Sequence, residues 1–139
     1  MNGRAKFVIA LLALVLASSA WAQSPDEVVE RYMAAYNDHD VDAMLELVDP
    51  DIQWLSVDGD RISVETDGAE ALAEAMRGYF EAVPSTRSSI ESMMVSGQRV
   101  SVRERAHWES SGQPRSQAAL AVYEIAEGRI VRVWYFSAE

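Results

Sequence analysis

The sequence predicts an α+β domain in which a curved β-sheet wraps around helices that mostly precede its strands. Apolar residues recur at helical spacing over residues 24–48 and 67–83. From residue 87 to residue 137, alternating segments follow one another with only short turns between them. Helices grouped ahead of a continuous run of strands are typical of α+β proteins rather than of alternating α/β proteins.

The first helix has a clear beginning. Ser24 is a good N-cap, Pro25 suits the first helical position, and Glu27 stands three residues after the cap, as in a capping box. The apolar residues that follow share one helical face: Val28, Val29, Tyr32, Met33 and Tyr36. This face is expected to pack against the sheet.

A second helix and a first strand are predicted next. Asp40 can cap the helix, and Asp49-Pro50 should end it because a residue before proline disfavours the helical conformation. Its apolar face consists of Val41, Met44, Leu45 and Val48. Residues 52–56 then alternate as a half-buried strand does, with Ile52, Trp54 and Ser56 on one side.

A third helix follows a turn at residues 58–60 and a short strand at 61–65. Asp67 is the expected N-cap, Glu70 its capping-box partner, and Pro84 marks the end of the helix. The predicted buried stripe consists of Ala69, Leu72, Ala73, Met76, Phe80 and Val83. The meander after it is predicted at 87–95, 99–109, 115–126 and 129–137, with turns at 96–97, 110–114 and 127–128.

Strand 99–109 contains one carboxylate in an apolar row. Strand alternation places Glu104 on the same side as Val102, Ala106 and Trp108. A carboxylate there is a general base whose pKa burial has raised, a pocket-mouth residue paired with an arginine, or a residue that a bulge turns outward. The last strand is apolar on both sides, which predicts that helices cover one face of the sheet and a second subunit of a homodimer the other.

The N-terminus is typical of a secretory signal peptide. Arg4 and Lys6 precede an apolar run over residues 7–16, and Ala20-Trp21-Ala22 matches a cleavage site. We therefore expect residues 1–22 to be removed, residues 23–139 to form a single domain, and the mature protein to be secreted or periplasmic. The alternative is that residues 1–22 stay in place as an uncleaved N-terminal anchor. The apolar run is too short to span a membrane, so no membrane association is expected after cleavage.

Composition excludes several kinds of chemistry. Cleavage would move the net charge from −10 to −12, which disfavours nucleic acid as a partner. The chain has no cysteine, its single lysine is Lys6, and its two histidines are His39 and His107. No thiol nucleophile, lysine Schiff base or multi-histidine metal site is available, and no cofactor motif is present. His39 is expected to be solvated in its turn, and His107 to lie on the outer face.

Three segments resemble one known superfamily: VVERYMAAYNDHDVDAMLELVDPDIQW, DGAEALAEAMRGYF and GRIVRVWYFS. They are similar to the nuclear transport factor 2-like superfamily in its SnoaL-like branch, over nearly all of residues 25–138. The resemblance implies a cone, in which a strongly bent mixed sheet wraps the helices and leaves a pocket at the wide end. It also implies frequent dimers and a range of functions, from ketosteroid isomerases and polyketide cyclases to non-catalytic proteins.

The closest local resemblance is to ketosteroid isomerases, and it is incomplete. Their oxyanion-binding tyrosine corresponds to Tyr32 in VVERY. The position of their general-base aspartate corresponds to Ser56, which is no base. Their protonated aspartate corresponds to Ala121, or to Leu120 in a register shifted by one residue. The resemblance therefore implies a pocket, but not that family's catalytic triad.

The resemblance and the strand alternation together predict the site. Glu104 and Tyr32 are the candidate catalytic residues. The predicted pocket wall consists of Trp54, Ser56, Met76, Trp108, Tyr123 and Tyr135, beside Ile52, Val102, Ala106 and Val133. Three hypotheses remain open. The first is acid–base catalysis of isomerase, cyclase or dehydratase type on a small, largely apolar molecule. The second is a non-catalytic module that binds a hydrophobic ligand or a partner protein, and the third is a dimeric interaction module whose cone is filled.

Overall fold

The computed structural model describes residues 23–136, so the predicted signal peptide lies outside the described residues. Three helices and six strands follow one another in this order: α1 Pro25–Asn37, α2 Val41–Leu45, β1 Val48–Asp58, β2 Arg61–Asp67, α3 Ala69–Ala82, β3 Arg87–Ser96, β4 Arg99–Ser110, β5 Gln113–Ala126 and β6 Arg129–Phe136. The predicted α+β class is confirmed.

Helix α1 forms as predicted. The Ser24 backbone amide donates to Glu27 Oε2 at 3.3 Å, so the capping box holds the first turn. The predicted stripe is the buried side of the helix, with Val28 and Val29 fully enclosed. Because Tyr32 and Tyr36 lie one turn apart, both reach the interior of the cone.

Two predicted boundaries are wrong. Helix α2 ends at Leu45, and β1 begins at Val48, so Asp49-Pro50 lies inside a strand instead of ending a helix. Proline is tolerated there because the edge strand β2 pairs only with the later part of β1. Asp67 is the last residue of β2, and α3 has Gly68 as its N-cap, with a φ of 97°. That backbone conformation favours glycine, which explains why the cap is not the aspartate.

The six strands form one mixed sheet in the order β2-β1-β6-β5-β4-β3. Strands β3 to β6 are the predicted antiparallel meander, and β1 pairs with β6 in parallel. The curved sheet wraps around the helices, whose apolar faces meet its inner side. The core contains the fully buried residues Val28, Val29, Ile52, Val100, Val102, Ala121, Ile130 and Val133. No helix within residues 23–136 is long and apolar enough to cross a membrane.

A β-bulge in β3 lies beside Glu104. Ile90 pairs with Glu104 and Ser92 with Arg103, so Glu91 is the extra residue. The bulge shifts the alternation of β3, so that Glu91 points to the outer side of the sheet. Two neighbouring carboxylates therefore lie on opposite faces.

Candidate functional site

A cavity of about 260 Å³ opens between the helices and the inner face of the sheet. Aromatic and apolar side chains form most of its wall. The lining residues are Tyr32, Met33, Tyr36, Trp54, Met76, Tyr79, Ser88, Glu104, Ala106, Tyr123 and Tyr135. A mostly apolar concave site with a few polar groups is the usual form of a small-molecule pocket.

Among residues 23–136, Glu104 is the only carboxylate in this wall. It is 7% exposed and lies between Ile90 on β3 and Ala119 on β5, neither of which can pair with its charge. Burial raises the pKa of Glu104 to about 7, and the hydroxyl of Tyr123, which donates to Oε2 at 3.3 Å, offsets part of that rise. The side chain is therefore partly ionised at neutral pH, as a general base requires.

Tyr32 supplies a hydroxyl without a partner. Its side chain is 3% exposed, and its hydroxyl oxygen has no hydrogen-bond partner within residues 23–136. Burial, and next the charge of Glu104, raise the pKa of Tyr32 well above its ordinary value, so the group stays protonated. Because a buried hydroxyl without a partner is costly, this donor is suited to a ligand oxygen.

Three aromatic rings form the wall around these two groups. Tyr123 contacts Tyr32 edge-on, with ring centroids 6.3 Å apart, and Trp54 stands nearly perpendicular to Tyr123 at 6.4 Å. Tyr135 lies 6.1 Å from Trp54. Burial and the charge of Glu104 raise the pKa of Tyr135 to about 12. A flat apolar molecule would meet ring faces and edges on this side of the cavity.

Two further tyrosine hydroxyls of the cavity wall meet at Thr86, which lies behind the wall. Thr86 is fully buried, and its Oγ1 lies 3.0 Å from the hydroxyl of Tyr36 and 3.3 Å from that of Tyr79. Both tyrosines line the cavity. The site therefore presents hydroxyl groups at two places, one near Glu104 and one near Thr86.

The structure brings most of the predicted site residues into one cavity. Glu104, Tyr32, Trp54, Met76, Tyr123 and Tyr135 all line it. Ser56 and Trp108 are not among the lining residues, so these two predictions are wrong. Ile52, Val102 and Val133 were expected beside the wall and belong to the fully buried core instead.

Each correction has a structural reason. The Ser56 hydroxyl donates to Glu65 Oε1 at 2.5 Å, because a bulge in β2 leaves Glu65 unpaired beside it. Trp108 follows Glu104 by four residues, or about 13 Å of strand. It pairs with Arg115 where β4 and β5 extend beyond both neighbouring strands, and so lies past the cavity.

Four of the lining residues are not predicted from the sequence, although the spacing of two of them indicates their position. Tyr36 follows Tyr32 by one helical turn, and Tyr79 follows Met76 by three residues, so each shares a face with a predicted pocket residue. The other two are Met33 and Ser88. Ser88 faces inward because it pairs with Ala106, a register that the sequence alone does not contain.

His39 is also placed differently from the prediction. Its ring stacks on Phe80 with centroids 4.2 Å apart, and its Nε2 lies 2.9 Å from Arg87 Nη1. The residue has a φ of 54°, an uncommon backbone conformation for a side-chain-bearing residue. Packing against α3 thus replaces the predicted exposure to solvent. No group of three or more His, Cys, Asp or Glu residues within residues 23–136 could hold a metal ion.

Solved structures with the same fold are numerous. An uncharacterized cystatin fold protein from Novosphingobium aromaticivorans is 24% identical, with a TM-score of 0.73 over 83% of this chain and 99% of that chain. A loop truncation variant of IdmH is 20% identical, with a TM-score of 0.72 over 84% of this chain and 93% of that chain. A putative polyketide cyclase from Xanthomonas campestris is 21% identical, with a TM-score of 0.61 over 81% and 89%.

An NTF2-like protein of unknown function from Cytophaga hutchinsonii is 15% identical, with a TM-score of 0.65 over 84% of this chain and 90% of that chain. These similarities define the fold as that of the nuclear transport factor 2-like and cystatin-fold proteins. The sequence itself identifies the family, since the family model of the SnoaL-like domain matches residues 29–133. The chain belongs to the SnoaL-like domain family. A search of curated proteins finds no match to the sequence.

Proposed function

We propose that this SnoaL-like protein binds a small, largely apolar carbonyl compound in its cavity and moves a proton on it. Glu104 is the general base, and Tyr32 donates a hydrogen bond to the carbonyl oxygen. One observation carries the proposal. A buried carboxylate with a pKa of about 7 shares an aromatic cavity with a buried tyrosine hydroxyl that has no hydrogen-bond partner in the described part of the chain.

The proposed step is enolisation. The carboxylate of Glu104 takes a proton from a carbon next to the carbonyl, and the electrons of that C–H bond form the enolate. The negative charge collects on the carbonyl oxygen, where the Tyr32 hydroxyl stabilises it. Protonated Glu104 then returns the proton to the same or another carbon. Isomerisation, cyclisation and dehydration can all begin with this step, and a structure of similar fold is described as a putative polyketide cyclase.

The test is hydrogen–deuterium exchange on 2-tetralone, whose C1 protons lie between a ring and a carbonyl. Proton NMR in D2O should show that the protein accelerates exchange at C1. Glu104→Gln should abolish the acceleration, and Tyr32→Phe should reduce it by roughly 10²-fold, the scale for losing one oxyanion donor. Glu109→Gln is the matched control, since it makes the same change on an exposed residue of β4.

The alternative function is binding without catalysis. If the protein binds 2-tetralone but does not accelerate exchange, or if Glu104→Gln exchanges as fast as the native protein, the catalytic role is wrong. Glu104 would then be a buried carboxylate that only contacts the ligand.

We also propose that the protein is exported, on the strength of its N-terminal sequence. Mass spectrometry of protein from the native host should give a mature chain that begins at Gln23. A chain that retains residues 1–22 would contradict cleavage.

A homodimer through the outer face of the sheet is the third proposal. Leu120 is 44% exposed there and pairs across the sheet with Phe136. Trp134 and Val122 pair beside them on the same outer side. Sedimentation should show a dimer that Leu120→Glu converts to a monomer, because a charge at an apolar interface is not compensated. A monomeric native protein at micromolar concentration would contradict the proposal.

A further inference from the structure

The hydroxyls of Tyr36, Thr86 and Tyr79 form a short chain at the cavity. Thr86 is the central member, and within residues 23–136 its Oγ1 has these two tyrosines as its only hydrogen-bond partners. Burial raises the pKa of Tyr36, with a smaller contribution from the hydroxyl of Tyr79, but the two hydrogen bonds of good geometry both go to Thr86. The chain is therefore open at both ends.

One of the three hydroxyl protons in this chain of hydroxyls has no acceptor among the other two hydroxyls. Three hydroxyls carry three protons, and two hydrogen bonds use two of them. Thr86 is fully buried, so its proton must go to one of the tyrosines, since a buried donor without an acceptor is costly. The tyrosine that accepts this proton keeps its own, and it lines the cavity whichever of the two it is.

The surrounding contacts hold this chain of hydroxyls in place. Asn37 exchanges two hydrogen bonds with the backbone of Ser88, at 2.8 and 2.7 Å, and so ties the end of α1 to the start of β3. Arg87 Nη1 donates to the Thr86 carbonyl oxygen at 2.6 Å, and the Thr86 amide donates to Val83. Thr86 is thus fixed from both sides, and its hydroxyl is positioned before any ligand arrives.

We infer that the Tyr36–Thr86–Tyr79 chain is a second hydrogen-bond donor site for the ligand. The inference rests on the proposed function in assuming that a small molecule occupies the cavity. Tyr32 and Tyr36 are one turn apart on α1, which separates their backbones by about 6 Å. The ligand class is therefore a small aromatic or alicyclic molecule that carries two oxygen acceptors at separate positions, with an apolar body between them.

Either tyrosine alone should be able to supply the donor. In Tyr36→Phe, Thr86 must donate to Tyr79, and the Tyr79 proton then faces the cavity. In Tyr79→Phe, the same reasoning leaves the proton of Tyr36. Only Tyr36→Phe/Tyr79→Phe removes the donor, because the remaining proton belongs to buried Thr86.

Three probes of nearly equal size test the site: 1,4-diethylbenzene with no carbonyl, 4-ethylacetophenone with one, and 1,4-diacetylbenzene with two. Dissociation constants from NMR titration should show that the native protein prefers the diketone to the monoketone by about tenfold, the scale of one hydrogen bond. Both single variants should keep this preference, and the double variant should lose it. Tyr36→Phe/Tyr79→Phe/Thr86→Val keeps the test valid if the double variant folds poorly, since it leaves no orphan hydroxyl.

Each other outcome overturns the inference. If all three probes bind equally, the second donor site does not exist, while proton exchange on 2-tetralone still stands as a test of Glu104. If the double variant keeps the preference, another group supplies the donor. If no probe binds, the cavity does not accept apolar rings, and the proposed ligand class is wrong.

Discussion

The pKa values of glutamates shift in opposite directions on the two faces of the sheet. On the inner face, Glu104 has a single tyrosine partner, and burial raises its pKa to about 7. On the outer face, Glu91 accepts from Arg105 at 2.5 Å and from Arg103 at 2.8 Å. Hydrogen bonds from these arginines hold the pKa of Glu91 below its ordinary value.

Glu124 shows that burial alone does not decide the direction. Burial acts to raise its pKa, but Arg99 and Arg132 lie on either side of its carboxylate, at 3.0 and 3.1 Å, and together they lower it. The pKa of Glu104 is raised because no cation compensates for its burial. Within residues 23–136 no cation lies near it on the inner face, whereas on the outer face arginines lie beside both Glu91 and Glu124.

The largest expected effect is on the pH dependence of stability at Glu104. A raised carboxyl pKa means that the folded protein binds this proton more tightly than the unfolded chain. The contribution is full below pH 4.5 and is lost as pH rises through about 7. Glutamine does not titrate, so Glu104→Gln does not lose this contribution as pH rises. Its free energy of unfolding, relative to that of the native protein, should therefore increase by about 3 kcal/mol between pH 4.5 and pH 8.

Urea unfolding at several pH values measures this difference, with Glu109→Gln as the control. A difference between Glu104→Gln and native protein that does not change with pH would contradict the raised pKa.

A smaller effect of opposite sign is expected at Glu124. Its lowered pKa stabilises the fold above the ordinary carboxyl range, and this contribution is lost as pH falls through the folded pKa. Glu124→Gln should lower the free energy of unfolding at pH 7 by only about 1 kcal/mol, because the arginine partners of Glu124 are largely exposed. At low pH, where the carboxylate is protonated, the substitution should change nothing. The same urea series would contradict this prediction if Glu124→Gln became more stable than native protein as pH rises.

The smallest effect is expected at Glu91, whose ion pairs face solvent. Glu91→Gln should lower the melting temperature less than Glu124→Gln does. The difference from native protein should disappear in about 0.5 M salt, where charges in solvent are screened within a few ångströms. A salt-independent loss would mean that the carboxylate has a packing role in the bulge.

Much of the site was predictable because it depends on alternation and helical spacing. Glu104, Tyr32, Trp54, Met76, Tyr123 and Tyr135 were all expected at the pocket, and they line the cavity. Ser56 and Trp108 were expected there by the same rules and lie elsewhere. Alternation indicates which side of a strand a residue faces, but it does not indicate where along the strand the cavity ends. It also does not predict the bulge in β2 that brings Glu65 within hydrogen-bond distance of Ser56.

The sequence by itself determined the class of fold, the apolar face of each main helix, the meander and the isolated carboxylate in β4. These features depend on local periodicity, capping and turn residues, which act over a few neighbouring positions. Tertiary structure decided the rest: the parallel pairing of β1 with β6, the bulge that separates Glu91 from Glu104, and the meeting of Tyr36, Tyr79 and Thr86. These depend on contacts between residues far apart in the chain, and no local pattern encodes which distant hydroxyls will face each other across a folded cavity.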